Sequence, residues 1–230
     1  MKIYTDPRLL SHGLIGGTCS RESGNMRPAE DQNTVYENLQ IPSQKILHFH
    51  QTHSDRIITI RSEQEALNFQ QLPTQDADGW VLQPQGWGAA ILTADCVPLF
   101  LWDEIGETIG LSHCGWRGVV QQMPAKTVRT MRDCGAKGKI YAWAGPHIQS
   151  CCFEVGADVA AQFSEKSSLF ENGKHIVSLN VEIAQQLIKE GLLPADIQLS
   201  SECTCCQPDK FFSWRRDHVL QNLLSFVYRP

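Results

Sequence analysis

Short apolar runs separated by turn residues recur along the chain. They cover residues 45–49, 57–60, 79–82, 89–93, 98–102, 108–112 and 139–144. Runs of this length, rich in branched and aromatic side chains, are typical of β-strands. Because few polar residues interrupt them, we predict strands that are buried.

Apolar positions at helical spacing lie mainly in the second half of the chain. The predicted helices are residues 119–133, 180–190 and 218–228, with 155–163 as a further candidate. Gly135 and Gly191 follow two of these segments as plausible helix stops. Strands first and helices later favour an α+β fold over a regular βαβ alternation. We expect residues 1–230 to form a single domain of mixed β-sheets flanked by helices.

The composition is that of a globular protein and disfavours several function classes. Hydrophobic residues make up 42% and charged residues 20% of the chain, which permits a sizeable core. The formal net charge of -5 argues against a protein that mainly neutralises nucleic-acid phosphates. No export signal and no membrane-spanning apolar run is visible. We expect a cytoplasmic protein, a monomer or weak homodimer, that acts on small molecules without nucleic-acid or membrane partners.

Nine cysteines are many for a cytoplasmic chain, and their odd number prevents complete internal pairing. In a reducing compartment thiols stay free and serve as core residues, metal ligands or nucleophiles. Cys203 and Cys206 have the spacing of half a zinc ribbon, but the adjacent Cys151 and Cys152 match the other half poorly. We expect these thiols to pack beneath a loop, with the charged segment 215–217 forming an ion network.

Residues that bind metals cluster at the ends of predicted strands. One segment holds His48, His50 and His53, and spacing alone does not decide which of them would face a metal. A second segment interrupts an apolar run with Asp95 and Cys96. Because a buried carboxylate needs polar partners, a polar site is expected at this break.

A third segment ends a strand at His113 and continues through Gly115, Arg117 and Gly118. The glycines leave room for a ligand, and Arg117 with the following helix start would attract an anion. A histidine of the first segment, Cys96 and His113 make a three-donor set of imidazole and thiolate. Such a set suits Zn²⁺ and leaves a fourth position for water or substrate, as in catalytic sites.

Five motifs in one order resemble those of a known bacterial family. They are HQTHSD, TADCVP, HCGWRG, GPHIQSCCFEVG and CTCCQPDKFFSWRRD. They are similar to the motifs of laccase-domain or multicopper polyphenol oxidoreductase proteins, now described as bacterial purine nucleoside phosphorylases. The resemblance covers residues 45–217 and implies a mixed α+β fold. It also implies one zinc held by His53, Cys96 and His113, which selects His53 from its segment.

The resemblance implies phosphorolysis of adenosine, inosine and methylthioadenosine, with zinc-dependent adenosine deamination as a further activity. Purine nucleosides and phosphate would then be the partners. Asp95 would carry a proton or remain structural. Arg117, and after it Arg21, would bind phosphate, while His147 would contact the base or the sugar hydroxyls.

The amino-terminal segment departs from the family pattern. SHGLIGGTCSRESGNM keeps His12 and Gly13 but lacks the family's usual order of arginine and serine residues. Ser20 or Arg21 would have to stand in for them, so the resemblance assigns contacts from this segment only loosely.

Other functions compete with phosphorolysis. A copper-dependent oxidase of phenols, with copper as the alternative metal, would need several ions held by many histidines, and only His48 and His50 form a His-x-His pair. A hydrolase, or an amidase acting on cell-wall precursors, would use Cys96 as a nucleophile activated by His113. A binding or scaffold protein is disfavoured because the donor set and the Arg117 segment are intact.

Overall fold

The computed structural model describes residues 1–230 and contains fourteen strands and eight α-helices. The strands are β1 Ile3–Tyr4, β2 Ile15–Cys19, β3 Ile46–Leu47, β4 Ile57–Ile60, β5 Gly79–Leu82, β6 Trp87–Thr93, β7 Val97–Asp103, β8 Ile109–Cys114, β9 Ile140–Ala144, β10 Glu154–Val155, β11 Ser168–Glu171, β12 Lys174–Val177, β13 Ile197–Leu199 and β14 Leu223–Arg229. The helices are α1 Pro7–Ser11, α2 Ala29–Asn38, α3 Glu63–Gln70, α4 Trp116–Val120, α5 Met123–Asp133, α6 Ala157–Ala160, α7 Leu179–Lys189 and α8 Trp214–Asp217. None of these helices combines the length and apolar content that a membrane crossing needs.

Two large sheets form the centre of the molecule. One has five strands in the order β1-β2-β14-β6-β3, and the other has six in the order β13-β9-β7-β8-β5-β4. Both contain parallel and antiparallel pairs, since β3 runs parallel to β6 and β4 parallel to β5 while their other neighbours are mostly antiparallel. A small sheet, β10-β12-β11, lies outside them. Mixed sheets with flanking helices confirm the predicted fold class.

The central strands are apolar throughout because both of their faces are covered. Ile91 of β6 and Phe100 of β7 belong to one buried cluster between the two sheets. The next residue along β7, Leu101, points to the opposite face and packs with Ile183 of α7. On the outer face of the five-stranded sheet, Phe226 of β14 packs against α2. The layers are therefore helix, sheet, sheet and helix.

The strand predictions are confirmed with shifted ends. β4 and β5 occupy the predicted residues, whereas β6 begins earlier, at Trp87, and β3 is reduced to Ile46–Leu47. The strand predicted at residues 108–112 extends to Cys114. This extension places His113 within the sheet and fixes the direction of its side chain.

The helix predicted at residues 218–228 is wrong. The segment forms β14, which lies between β2 and β6 in the five-stranded sheet. Leu224 and Phe226 face the cluster with α2, whereas Val227 faces the core between the sheets. A continuous apolar run fits both helical and strand periods, and here the aromatic and β-branched residues favour the strand.

The helix predicted at residues 119–133 is divided into α4 and α5. Gln122 has a left-handed backbone with φ of 66° and ends the first piece. Pro124 lies in the first turn of α5, where its missing N–H needs no partner. Proline fits poorly inside a helix, so the chain restarts the helix there.

The remaining helix predictions have mixed outcomes. The helix at residues 180–190 is confirmed as α7, but the candidate at 155–163 contains only the short α6. The pattern also missed α2 and α3 in the first half of the chain. α2 buries only Gln32, Val35 and Tyr36, so its sequence shows little apolar periodicity.

Candidate functional site

Three separate parts of the chain bring the predicted donor set to one place. His53 lies in the loop after β3, Cys96 lies between β6 and β7, and His113 lies near the end of β8. Their donor atoms are within 4.8 Å of one another, and the Cys96 Sγ is 3.8 Å from the His53 Nε2. β7 and β8 are antiparallel neighbours, with Val97 opposite Cys114, which explains why Cys96 and His113 meet. The three residues form a group that could bind a metal ion.

The backbone around these side chains is unusual. His53 has φ of 58° and Asp95, next to Cys96, has φ of 87°, both in the region that favours glycine. A Cβ atom placed on Gly115 would lie 2.8 Å from the His53 Cδ2 and 3.1 Å from the Cys96 Sγ. Glycine at this position therefore lets the two donors approach the backbone closely.

The buried carboxylate of Asp78 orients two of the three donors. Its Oδ1 accepts hydrogen bonds from the His113 ring at Nδ1, 2.8 Å away, and from the His53 backbone N–H at 3.1 Å. Its Oδ2 accepts from the Ser54 backbone N–H at 2.6 Å and the Ser54 hydroxyl at 2.8 Å. Because the Nδ1–H of His113 donates to this carboxylate, the Nε2 of His113 faces Cys96 or a metal.

Asp78 was missed in the sequence because it lies next to an apolar run without a recognised motif. Its position just before the buried strand β5 was the available signal, since an unpaired buried carboxylate is costly.

The electrostatics of this group favour a thiolate. Burial alone would raise the pKa of the Cys96 thiol, but the imidazoles of His113 and His53 outweigh it and lower that pKa to about 6. Burial alone would lower the pKa of His113, but Cys96 and Asp78 raise it to about 9. Burial would raise the pKa of Asp78, yet hydrogen bonds from His113 and Ser54 hold it below its ordinary value. At neutral pH Cys96 is thus a thiolate, the form that binds metals or acts as a nucleophile.

The three donors lie in the wall of a cavity of about 660 Å³. This volume is in the range of small-molecule binding sites. The large apolar side chains in its lining are Phe49, Leu92, Trp116, Ile148, Phe153, Trp214, Val219 and Leu220. Its cationic side chains are Arg27, Arg117 and Arg215. Apolar walls with a few charged groups suit a flat heterocycle that carries polar substituents.

Of the two arginines predicted to bind an anion, one lines the cavity and the other does not. Arg117 is exposed in the cavity lining, and its guanidinium lies 4.4 Å from the centroid of the Trp116 ring. Arg21 is outside the cavity lining, and its Nη1 donates to the Pro208 carbonyl at 3.1 Å. Arg27, which the sequence patterns did not single out, lines the cavity instead. The helix expected to begin near Val119 begins at Trp116.

His147 is buried and lies outside the cavity lining. Its Nδ1 is 2.7 Å from the Gly145 carbonyl oxygen, and its Nε2 is 3.0 Å from the Gln149 amide nitrogen. Burial lowers the pKa of His147 to about 4 although the Gly145 bond opposes this. A neutral ring that donates from Nδ1 and accepts at Nε2 satisfies both contacts.

Asp95 lines the cavity, but its carboxylate is already engaged by the protein. It accepts hydrogen bonds from the Thr204 hydroxyl at 2.6 Å, the Ser213 hydroxyl at 3.0 Å and the Arg215 backbone N–H at 2.7 Å. These bonds connect the loop beside Cys96 to the segment that leads into α8.

The other two histidines of the first segment lie outside the donor group. His48 is exposed and lies beside Tyr36, with ring centroids 6.5 Å apart. The Nδ1 of His50 is 2.9 Å from the Asp76 carboxylate at the surface. Of the three histidines, His53 alone joins Cys96 and His113.

The buried His147 predicts that the fold weakens in mild acid. In the unfolded chain His147 takes up a proton near pH 6.5, whereas in the folded chain it stays neutral to about pH 4. Its contribution to stability is thus complete above pH 6.5 and is lost toward pH 4. Between these values the unfolding free energy should fall by about 1.4 kcal/mol per pH unit. Urea unfolding at several pH values measures this slope. H147Q should reduce it, and an identical slope in this variant contradicts the explanation.

Comparisons with known proteins agree with the fold and the motifs. A family model described as "Multi-copper polyphenol oxidoreductase laccase" matches residues 22–229. The chain is 32% identical over 211 residues to a purine nucleoside phosphorylase of Xylella fastidiosa strain 9a5c, covering 87% of this chain and 79% of the relative. It is 34% identical over 177 residues to adenosine deaminase RL5 from an unknown prokaryotic organism, covering 72% and 68% of the two chains.

Solved structures share the fold. The crystal structure of the hypothetical protein YfiH from Bacillus licheniformis matches with a TM-score of 0.83 at 24% identity, covering 94% of this chain and 93% of that one. YlmD from Geobacillus stearothermophilus matches with a TM-score of 0.82 at 24% identity, covering 94% and 92%. At this identity the likeness establishes the fold alone.

Proposed function

The chain belongs to the multi-copper polyphenol oxidoreductase laccase family of enzymes, and we propose that it is a zinc-dependent purine nucleoside phosphorylase. The observation that carries the proposal is the convergence of His53, Cys96 and His113 on a cavity whose lining also holds Arg27 and Arg117. Adenosine, inosine and methylthioadenosine are the proposed nucleosides, with phosphate as co-substrate. Adenosine deamination is proposed as a further activity, in line with the name of one relative.

The donor group fits Zn²⁺. Two tetrahedral ligands at bond lengths of ~2.3 Å for sulfur and ~2.0 Å for nitrogen lie about 3.5 Å apart, close to the 3.8 Å between the Cys96 Sγ and the His53 Nε2. Three protein donors leave one position for water or substrate. When bound, the ion would supply Lewis acidity and a water of lowered pKa. The packing of Gly115 against His53 and Cys96 supports a compact centre.

The remaining residues of the cavity have roles that follow from their chemistry. The apolar walls formed by Trp116 and Phe153 exclude water and would hold the purine ring. Phosphate would be attracted by the guanidinium groups of Arg117 and Arg27, which offer several N–H donors in one plane. Asp78 would keep His113 in the tautomer that presents Nε2 to the centre.

Replacing Asp78 by asparagine should weaken Zn²⁺ binding by about 10- to 100-fold. An amide cannot accept hydrogen bonds at both of its ends, so the ring of His113 or the loop at His53 would lose its anchor. Competition with a chromophoric chelator measures the affinity. D76N is the matched control. Asp76 is an exposed aspartate, and its histidine partner is His50, which lies outside the donor group. Equal Zn²⁺ affinity in D78N and the wild type would contradict a positioning role for Asp78.

Arg117→Ala should raise the KM for phosphate by about 10- to 100-fold, because a charge-assisted hydrogen bond contributes roughly 1.5–3 kcal/mol. The KM for the nucleoside should change less. Steady-state kinetics at varied phosphate measure this, with the exposed Arg61, which is outside the cavity lining, replaced by alanine as the control. A normal KM for phosphate in R117A would show that Arg117 does not bind phosphate.

A thiol hydrolase or amidase is the second candidate function. The specific observation in its favour is the chain of contacts from Asp78 through His113 to the Cys96 thiolate, which resembles a nucleophile with its base and orienting acid. Alkylation separates the two functions. A thiol nucleophile loses activity on alkylation of Cys96 in metal-free buffer, whereas a metal enzyme is already inactive there.

Copper-dependent oxidation of phenols is less well supported by the donors. Several copper ions would need several histidine groups, but His48 lies outside the donor group and His50 is bonded to Asp76. The donors that include histidine form one group of three. One catalytic ion fits this arrangement better than several.

Product analysis tests the proposed reaction. The purified protein is incubated with adenosine and phosphate, and bases, nucleosides and ribose 1-phosphate are separated by chromatography. We expect ribose 1-phosphate in an amount equal to the sum of adenine and hypoxanthine, formed only when phosphate is present. Formation of inosine without ribose 1-phosphate would show deamination without phosphorolysis and contradict the proposed main activity. Oxidation of a phenol, with neither inosine nor ribose 1-phosphate formed from adenosine, would overturn the proposal.

A further inference from the structure

A second group of metal-binding side chains lies outside the donor set of His53, Cys96 and His113. It consists of Cys151 and Cys152, in the turn before β10, and Cys203 and Cys206, in the loop before α8. All four sulfur atoms are within 4.8 Å of one another. Cys151 and Cys206 are exposed, so the four thiols are not packed beneath a loop as the sequence led us to expect. We call these residues the four-thiol group.

The sulfur atoms lie close enough together to share one tetrahedral ion. The Sγ of Cys206 lies 3.3 Å from that of Cys151 and 3.1 Å from that of Cys152, and the last two are 3.8 Å apart. Sulfur ligands at ~2.3 Å from a tetrahedral ion are about 3.8 Å from one another. The adjacent cysteines, which match a zinc ribbon poorly in sequence, point their thiols to the same place in the fold.

The surroundings of Cys203 favour a thiolate. The backbone N–H of Gln149 donates to the Cys203 Sγ at 3.4 Å, a contact that stabilises a thiolate. Arg215 donates to the Cys152 carbonyl at 3.3 Å, and Arg216 donates to the Cys205 carbonyl at 3.1 Å. Four thiolates around a divalent ion carry two excess negative charges, and the neighbouring Arg215 guanidinium would offset part of them, whereas Arg216 is already paired with Asp217.

We propose that Cys151, Cys152, Cys203 and Cys206 bind one thiophilic divalent cation, Zn²⁺ by its ligand preference, as a structural site. The ion joins two loops that also meet through the bridge between His147 and Cys203 and through the hydrogen bonds of Gln149 to Cys203 and Glu202. Four protein ligands leave no position for substrate, so this site has no catalytic role of its own.

The proposed ion stabilises one wall of the cavity. The loop with Cys151 and Cys152 also carries Ile148 and Phe153, which line the cavity. The loop with Cys203 carries Thr204, whose hydroxyl donates to Asp95 at 2.6 Å. Joining the two loops therefore fixes the surroundings of the donor set without contacting it.

The test uses the full chain with the first donor set disabled by H53A and C96S, so that its outcome is independent of the proposed function. The protein is purified in a reducing buffer without chelators, and its zinc content is measured by elemental analysis. We expect about one Zn²⁺ per chain. After the zinc is exchanged for Co²⁺, we expect thiolate-to-cobalt charge-transfer absorption in the near ultraviolet.

Adding C206S to this background should remove the ion and the absorption, and C151S, at a second exposed position, should do the same. C134S is the control, because Cys134 is half-buried at the end of α5 and outside both groups. Circular dichroism reports whether each variant is folded. A background protein without zinc, zinc that persists in folded C206S and C151S, or an intact mass showing disulfides among these residues in fresh protein would each overturn the proposal.

Discussion

Cys96→Ser should lose the metal ion of the donor set and at least about 1,000-fold of the phosphorolytic rate. A serine hydroxyl stays protonated at neutral pH, whereas His113 and His53 lower the pKa of the Cys96 thiol to about 6 and keep it as a thiolate. Loss of a Lewis acid removes several kcal/mol of transition-state stabilisation, and each 1.36 kcal/mol is about tenfold in rate.

The measurement pairs metal content with turnover. C134S is again the control, because it removes a half-buried thiol outside both metal-binding groups. Cys96→Ser would also inactivate a thiol hydrolase, so the metal content decides between the two functions. A variant that keeps both its zinc and its turnover would rule out Cys96 as a ligand.

Asp95→Ala should lower the unfolding free energy by about 3–5 kcal/mol. It leaves the hydroxyls of Thr204 and Ser213 and the backbone N–H of Arg215 without their shared acceptor in a buried place. The backbone φ of 87° at Asp95 adds strain for alanine, which avoids this region more than aspartate or asparagine does. Urea unfolding at pH 7.5 measures the loss.

Asp95→Asn separates positioning from proton transfer. Asparagine tolerates the backbone and keeps one acceptor oxygen, so its loss of stability should be smaller than that of alanine. If Asp95 only ties the loops together, the pH profile of kcat keeps its shape in D95N while the stability falls. A folded D95N enzyme of normal stability that has lost one limb of the profile would instead make Asp95 the proton carrier.

The sequence predicted the centre of the fold better than its edges. Strands such as β5 and β7 are buried on both faces, so their apolar runs are short, bounded and easy to recognise. β14 has the same kind of run but follows a polar segment, and its period alone fits a helix as well as a strand. Its aromatic and β-branched residues favour a strand, and its pairing with β2 and β6 stabilises that strand. The apolar pattern did not predict α2 because this helix contacts the core with few apolar residues.

The site was predictable where residue type carried the information. Thiolate and imidazole in motifs of known order pointed to His53, Cys96 and His113, whose meeting is a property of the paired strands and loops. Residues that act through contacts made in the folded chain were missed. Asp78 became visible only through its hydrogen bonds, and Arg27 only through the cavity.

The central claim is that Zn²⁺ at His53, Cys96 and His113 makes this chain a phosphorolytic enzyme. The direct test strips the wild-type protein with a chelator and measures ribose 1-phosphate from adenosine and phosphate, before and after Zn²⁺ or Cu²⁺ is returned in stoichiometric amount. We expect product formation to fall to background on stripping and to return with zinc but not with copper, in proportion to the phosphate supplied. Full activity in the stripped protein, or recovery with zinc that needs no phosphate, would contradict the claim.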